Sequence, residues 1–217
     1  MTTTGFTPAL GRFAHTRHYD TVIRTLTRER LWRALAAMHI APRPDETITD
    51  IGCGTGSLAL LLARIEPRAR IIGLDPDPEV LNLARRKEPA VGTVDWRVGP
   101  GDAAVELLGA GTADTAVSSL VLHQCTPAVK RAILAQMFAL LRPGGRLVIA
   151  DYGLQRTRAM RLAFLGVQYA DGRADTQPNA DGVLPGLIAG AGFTAVREAE
   201  LVPTLTGSIS VYTARRG

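Results

Sequence analysis

Cysteine is scarce: Cys53 and Cys125 are the whole complement of 217 residues. Two thiols cannot build a disulfide framework. They form neither a CxxC pair nor part of a Cys/His cluster with zinc spacing, so no metal is expected. Long apolar runs are missing as well. The longest mainly apolar stretch, residues 58–65, falls far below the roughly 20 residues a membrane-spanning helix needs. The first ten residues are Thr-rich and lack the basic start and apolar run of a secretory signal, which predicts a cytoplasmic protein. Periodic Gly or Pro is absent too, which excludes collagen-like and low-complexity chains. What is present, 46% hydrophobic and 21% charged residues, is the composition of a chain that folds around a core. At this length it buries roughly 70% of its unfolded surface and needs no covalent staple.

Lysine is nearly absent, so Arg supplies almost all the positive side of a net charge of +5. The charge is scattered, with no run of five like charges, and scattered charge reads as solvated faces rather than a nucleic-acid stripe. Some clustering does occur. Arg12, Arg17, Arg24, Arg28, Arg30 and Arg33 stand in the first 33 residues, opposed only by Asp20 and Glu29.

From about residue 47, β-type runs alternate with helical patterns. Strands are predicted at 48–51, 70–74, 94–98, 113–120 and 146–150, and helices at 57–66, 77–87 and 127–141. Ser57 is placed as the cap of the first of these helices, Pro67 ends it, and Pro127 occupies the first turn of the last. Arg142-Pro143-Gly144-Gly145 reads as a turn. Such alternation implies a parallel sheet covered by helices on both faces. The end of the chain differs: 193–202 and 208–214 read as an antiparallel hairpin at the sheet edge. Upstream, Leu26, Leu31, Leu35 and Met38 give an amphipathic helix from Arg24 onward.

The stretch Asp50-Ile-Gly52-Cys-Gly54-Thr-Gly56-Ser57 follows the first strand and opens a helix. Glycines let the backbone turn tightly and approach a ligand, and the helix start offers unpaired N–H groups. Asp75 closes the second strand, 19 residues after Gly56. A carboxylate at the carboxyl end of a parallel strand can accept from both hydroxyls of a ribose, so a nucleoside is implied. The pattern is G-x-G-x-G rather than the dinucleotide G-x-G-x-x-G. Asp50 would repel a pyrophosphate and suits the cationic amino group of a methionine moiety. After the third strand, Gly101-Asp102-Ala103 places another carboxylate where an adenine amino group could donate.

These motifs, with Leu141-Arg-Pro-Gly-Gly-Arg146, resemble in order and spacing those of the class I S-adenosylmethionine (SAM)-dependent methyltransferases over about residues 48–151. Tyr19-Asp20 and Arg30-Leu-Trp32-Arg33 extend the likeness to the ubiquinone/menaquinone-biosynthesis C-methyltransferase group. The resemblance implies a Rossmann-like α/β fold with a seven-stranded, mostly parallel sheet of order 3-2-1-4-5-7-6 and an antiparallel C-terminal strand. It implies one methyltransferase domain over 1–217: an N-terminal helical lid (1–46), a SAM-binding core (47–151), and an acceptor-side insert with the C-terminal hairpin (152–217). Thr55, Asp75, Asp102, Ala103 and Ser119 would contact SAM, with Asp50, Gly52, Gly54 and Pro76 around the same turn and Tyr19 closing over the methionine end. S-adenosylhomocysteine would be the product. The stretch Ser119-Leu-Val-Leu-His123-Gln124 departs from the Phe-Gly-Leu-Arg-Asn expected of that group, which leaves the acceptor open.

Methyl transfer from a sulfonium is an in-line displacement with a good leaving group, so positioning carries much of the rate, and a base is needed only where the acceptor must lose a proton. His123, after the fourth strand, is the candidate base. Tyr152 and Asp151 at the end of the fifth strand, and Tyr19, are candidates for orienting the acceptor. Acids that hold Mg²⁺ in catechol-type enzymes are missing after the fourth strand, as is the Asn/Asp-Pro-Pro-aromatic run of enzymes that methylate nucleic-acid amino groups. The expected partner is therefore a small-molecule acceptor, lipophilic or quinone-like, and not nucleic acid. The 156–170 segment, apolar with an Arg rim, suits weak contact with a membrane surface. Residues 171–182 read as a polar mobile loop. Two other functions fit parts of the pattern: a SAM-binding sensor without catalysis, and an NAD(P)-dependent oxidoreductase.

Overall fold

A computed structural model of the chain describes residues 27–90 and 92–217. Chain order runs α1 (Glu29–Ile40), β1 (Thr47–Ile51), α2 (Ser57–Ile65), β2 (Arg70–Asp75), α3 (Pro78–Arg86), β3 (Asp95–Val98), α4 (Ala104–Leu108), β4 (Ala113–Ser119), α5 (Pro127–Leu140), β5 (Leu141–Tyr152), α6 (Arg158–Asp171), α7 (Arg173–Ala180), α8 (Leu184–Gly190), β6 (Phe193–Thr204) and β7 (Gly207–Arg216). The strands form one sheet in the order β3-β2-β1-β4-β5-β7-β6. The first five neighbours pair in parallel, while β7 runs antiparallel to both β5 and β6. This is the expected order and orientation.

Alternation along the strands feeds two cores. On β5, Val148 and Ala150 join Ile48, Val117 and Val211 under α1 and α2, with Trp32, Ile40, Leu58 and Leu62 packed on them. Leu147 and Ile149 point the other way, to Ile133, Leu134 and Met137 of α5 and Leu184 and Ile188 of α8. A sheet buried on both faces explains why its strands read as near-continuous apolar runs. Local chemistry sets the helix starts. The Asp77 side chain accepts from Glu79 N–H (2.8 Å) at α3, Thr126 caps α5 ahead of Pro127, and Thr157 caps α6.

Three expectations are corrected. Ser57 does not cap α2: the cap position is Gly56 at φ 74°, with no side-chain cap, because the chain enters the helix from a left-handed turn that only glycine adopts freely. Residues 142–145 do not separate helix from strand. They lie inside β5 as an irregularity, with Ala113 paired to Leu141 and Thr115 to Arg146. The 171–182 segment is not a loop but mostly α7, with Thr176, Asn179 and Ala180 buried.

The register brings the carboxyl ends of the strands together. Asp50 lies beside Gly73 on one side and Val117 on the other, and Ser119 lies beside Ala150. The strand order reverses between β1 and β4, the position where open α/β sheets bind ligands.

Candidate active site

The glycine turn leaves β1 in a left-handed conformation that favours glycine. Gly52, Gly54 and Gly56 have φ of 71°, 53° and 74°. A Cβ at Gly52 would lie 2.4 Å from Val121, and one at Gly56 2.3 Å from the Trp96 ring; at Gly54 nothing stands within 4 Å. Gly52 and Gly56 are thus required by packing, whereas Gly54 borders open space. The turn is tied to β2 by Gly52 and Cys53 N–H groups donating to the Leu74 carbonyl (2.8 and 3.1 Å).

Asp75 continues that tie. Gly54 N–H donates to its Oδ2 (2.8 Å) and Asp77 N–H to its Oδ1 (3.0 Å). Burial raises its pKa against the pull of those two bonds. Each oxygen keeps a free lone pair. Asp50 is different: it is fully buried, and neither carboxylate oxygen has a hydrogen-bond partner. Burial pushes its pKa up to about 7, with the Arg33 guanidinium opposing and Asp75 adding to the rise. Buried polar groups left unpaired cost on the order of 1–3 kcal/mol, more when charged. An orphaned carboxylate at the mouth of the glycine turn fits a cationic ligand group. The Gly101–Ala103 turn also packs here, since a Cβ on Gly101 would lie 2.6 Å from Ile51, and Asp102 is exposed on it. Thr55, Pro76, Ala103 and Ser119 are half-buried around the same strand ends. Tyr19 lies outside the described residues.

Next to this turn, the loop after β4 is organised by one carboxylate. Asp151 is fully buried; its Oδ2 accepts from the N–H groups of Val121 (3.1 Å) and Leu122 (2.7 Å), and its Oδ1 from Tyr152 N–H (2.7 Å) and His123 Nδ1 (2.7 Å). On its far side, His123 Nε2 faces Asp171 Oδ2 of α6 at 3.4 Å. Burial pulls the imidazole pKa down, but the Asp151 charge and hydrogen bond and those of Asp171 outweigh it and lift the value to about 9. The Tyr152 ring meets His123 edge-on and tilts against Phe164, each at 5.0 Å. Its hydroxyl bonds to Thr206 (2.8 Å), and burial pushes its pKa up to about 12. Val121 joins the two halves, touching Gly52 while donating to Asp151.

Sequence reasoning did not find Asp171, Lys130 or the influence of the Arg33 charge on Asp50. Asp171, expected in a loop, is the last residue of α6. Lys130 is fully buried and its Nζ donates to the carbonyls of Cys125 (2.8 Å) and Asp175 (2.5 Å), joining α5, the strand-4 loop and α7. One of only two lysines, placed in an apolar helix, was the available signal. Among the described residues, no His/Cys/Asp/Glu group could hold a metal ion, and no helix is long and apolar enough to cross a membrane.

Sheet order, glycine turn and strand-end carboxylates together define a Rossmann-like class I methyltransferase fold. Residues 48–145 match the family described as "Methyltransferase domain". The chain resembles the ubiquinone/menaquinone group within that SAM-dependent class. It is 27% identical to the ubiquinone/menaquinone biosynthesis C-methyltransferase UbiE of Syntrophotalea carbinolica, over 91% of this chain and 89% of that protein. It is 30% identical to a demethylmenaquinone methyltransferase of Beutenbergia cavernae, over 63% of this chain and 54% of that one. Over several of the curated relatives it matches, the chain spans little more than half their length. Among solved structures, the magnesium protoporphyrin IX methyltransferase of Synechocystis PCC 6803 with bound S-adenosylhomocysteine shares the fold, at a TM-score of 0.70 and 21% identity over 94% of this chain and 89% of that one.

Proposed function

We propose that this chain transfers a methyl group from SAM to a small-molecule acceptor held over the carboxyl ends of β4 and β5. The observation that carries the reading is the buried, unpartnered carboxylate of Asp50 at the start of a glycine turn that is open only at Gly54. Asp50 would receive the methionine amino group, Gly54 would let the ligand approach the backbone, and the remaining lone pairs of Asp75 would accept from the ribose hydroxyls. Asp102 and Ala103 would border the adenine, and Thr55, Pro76 and Ser119 would line the same pocket. When bound, SAM supplies an electrophilic methyl group. Everything else is positioning by the chain. A dinucleotide is disfavoured because its pyrophosphate would meet Asp50.

His123 is read as a cationic donor rather than a free base. At neutral pH it holds its proton between Asp151 and Asp171. Its bond to Asp171 is long for an N–H···O bond, so an acceptor oxygen bearing negative charge would replace Asp171 at Nε2. Tyr152 would hold the imidazole plane through its ring contact. This favours an acceptor that ionises readily, such as a phenol or a quinol, in keeping with the names of the two curated relatives, a demethylmenaquinone methyltransferase and a ubiquinone/menaquinone biosynthesis C-methyltransferase.

Calorimetric titration with SAM, S-adenosylhomocysteine and NAD⁺, repeated on Asp75→Ala, tests the reading. Binding of SAM and not NAD⁺, lost in the variant, is the expected result. Absence of SAM binding overturns it. SAM binding with no methylated product from quinols, phenols or amines would assign the chain to a sensor instead.

A further inference from the structure

At the opposite end of the sheet lies a groove of about 210 Å³, bordered by His39 of α1, Arg146 of β5, Ala195 and Arg197 of β6, and Thr213 and Arg215 of β7. It is separate from the candidate active site: Arg146 and Asp151 are five residues apart on β5, roughly 17 Å at 3.3 Å per residue.

The register concentrates charge here. Arg146 pairs directly with Arg215, and like charges directly opposed across strands are destabilising. Arg197 pairs with Thr213, which shares a face with Arg215. That pairing depends on a bulge. At the start of β6, Thr194 pairs with Arg215, and the register then shifts by one before Arg197. Without the shift Arg197 would oppose Tyr212 and point to the other face, because a one-residue slip inverts every side chain. Ala195, inside the bulge, holds φ at 51°, a left-handed conformation that strains a non-glycine residue. The chain thus accepts local strain to place a third guanidinium beside two others.

The acids at this site are already engaged. Glu46 is ion-paired with Arg146, and Glu200 lies 3.0 Å from His39 Nε2. Arg146 also donates to the Ile40 carbonyl (2.6 Å). Arg197 donates only to the Thr213 hydroxyl (3.1 Å) and Arg215 only to the Gly144 carbonyl (3.4 Å); neither meets a carboxylate among the described residues. We propose that this groove is a binding site for a phosphate-type oxyanion, held chiefly by Arg197 and Arg215. Guanidinium forks match the geometry of such groups. The groove is large enough for one phosphate group.

The test is titration of the full chain with inorganic phosphate at constant ionic strength, read by calorimetry. The variants are Arg197→Ala, Arg215→Ala and the double variant, with Arg197→Lys as the charge-preserving control. Saturable binding that weakens about tenfold for each guanidinium removed is expected, a factor equivalent to about 1.4 kcal/mol. The Lys variant should fall between wild type and Ala. SAM binding should not change, which separates this site from the other. Absence of saturable binding, or equal binding by the double variant, overturns the proposal. Vesicles of neutral lipid with and without phosphatidic acid identify the source: Arg-dependent recruitment by phosphatidic acid points to a headgroup, and phosphate binding without recruitment to a soluble ligand.

Discussion

At the scale of single residues, two buried titratable groups, Asp50 and His123, stand at the candidate site, and each leaves a signature in stability. Asp50 is protonated in the folded protein up to about pH 7 because burial disfavours its charge, whereas an unfolded Asp ionises near 4. Between those values the folded state binds more protons, so stability falls as pH rises through that window. Asp50→Asn keeps the shape and removes the buried charge. It should raise the unfolding temperature at pH 8, abolish that slope, and weaken SAM binding at least tenfold, the loss expected for one charge-assisted hydrogen bond. Thermal scans and calorimetry on the same samples check this; unchanged SAM affinity would remove Asp50 from the cofactor site. His123 acts over a higher window. Its folded pKa of about 9 exceeds the unfolded 6.5, so its contribution is fully present below about pH 6.5 and is lost as pH rises through 9. His123→Gln should flatten stability between pH 6.5 and 9 while leaving the Asp50 window intact. If the imidazole were instead a free base with an ordinary pKa, the variant would leave the upper window unaltered.

At the scale of elements, the legible parts are those governed by local pattern. Strand and helix alternation, the proline at the first turn of α5, and the β6–β7 hairpin all follow from spacing and turn residues. The glycine turn and Asp75 were readable for the same reason, since backbone conformation there demands glycine. What was not legible depends on distant partners. The polar sequence of α7, with Pro178 inside it, has no helical periodicity. It is held by Lys130 on the Asp175 carbonyl, by Asn179 Nδ2 donating to the Tyr152 carbonyl (2.9 Å), and by Gln155 N–H donating to the Ala180 carbonyl (2.9 Å). Tertiary contacts override propensity there, and Asp171 reaches His123 only because α6 ends at that corner. Lys130→Met keeps the length and removes both charge-assisted bonds to the Cys125 and Asp175 carbonyls, at about 1.5–3 kcal/mol each. Amide exchange across 173–180 should accelerate at least tenfold, more than in β4. A uniform acceleration would show that Lys130 supports the whole fold rather than α7. In the glycine turn, Gly54→Ala meets no neighbour and costs only the left-handed strain of about 1–2 kcal/mol. It should fold and lose SAM binding, whereas Gly52→Ala and Gly56→Ala, which clash with Val121 and Trp96, should lose stability first.

At the scale of the whole molecule, one sheet carries the candidate cofactor site and the proposed oxyanion groove at opposite ends, and binding at either would register in stability. A ligand that binds only the folded state stabilises it by RT ln(1 + [L]/Kd), about 2.7 kcal/mol at a hundredfold excess over Kd. For a chain of 217 residues, each kcal/mol moves the unfolding temperature by roughly 2–4 °C. Saturating SAM should therefore raise it by about 5–11 °C. NAD⁺ at the same concentration should leave it unchanged, because its pyrophosphate would meet Asp50 where the proposed function places the methionine amino group. The variants divide the effect. Asp50→Asn and Gly54→Ala should lose the SAM shift, while the Arg197/Arg215 double alanine variant should keep it in full, since its side chains lie on the far ends of the strands and touch nothing in the glycine turn. A SAM shift that disappeared in the arginine variant would mean that the two ends of the sheet are energetically coupled, with β5 and β7, which run through both, as the connecting elements.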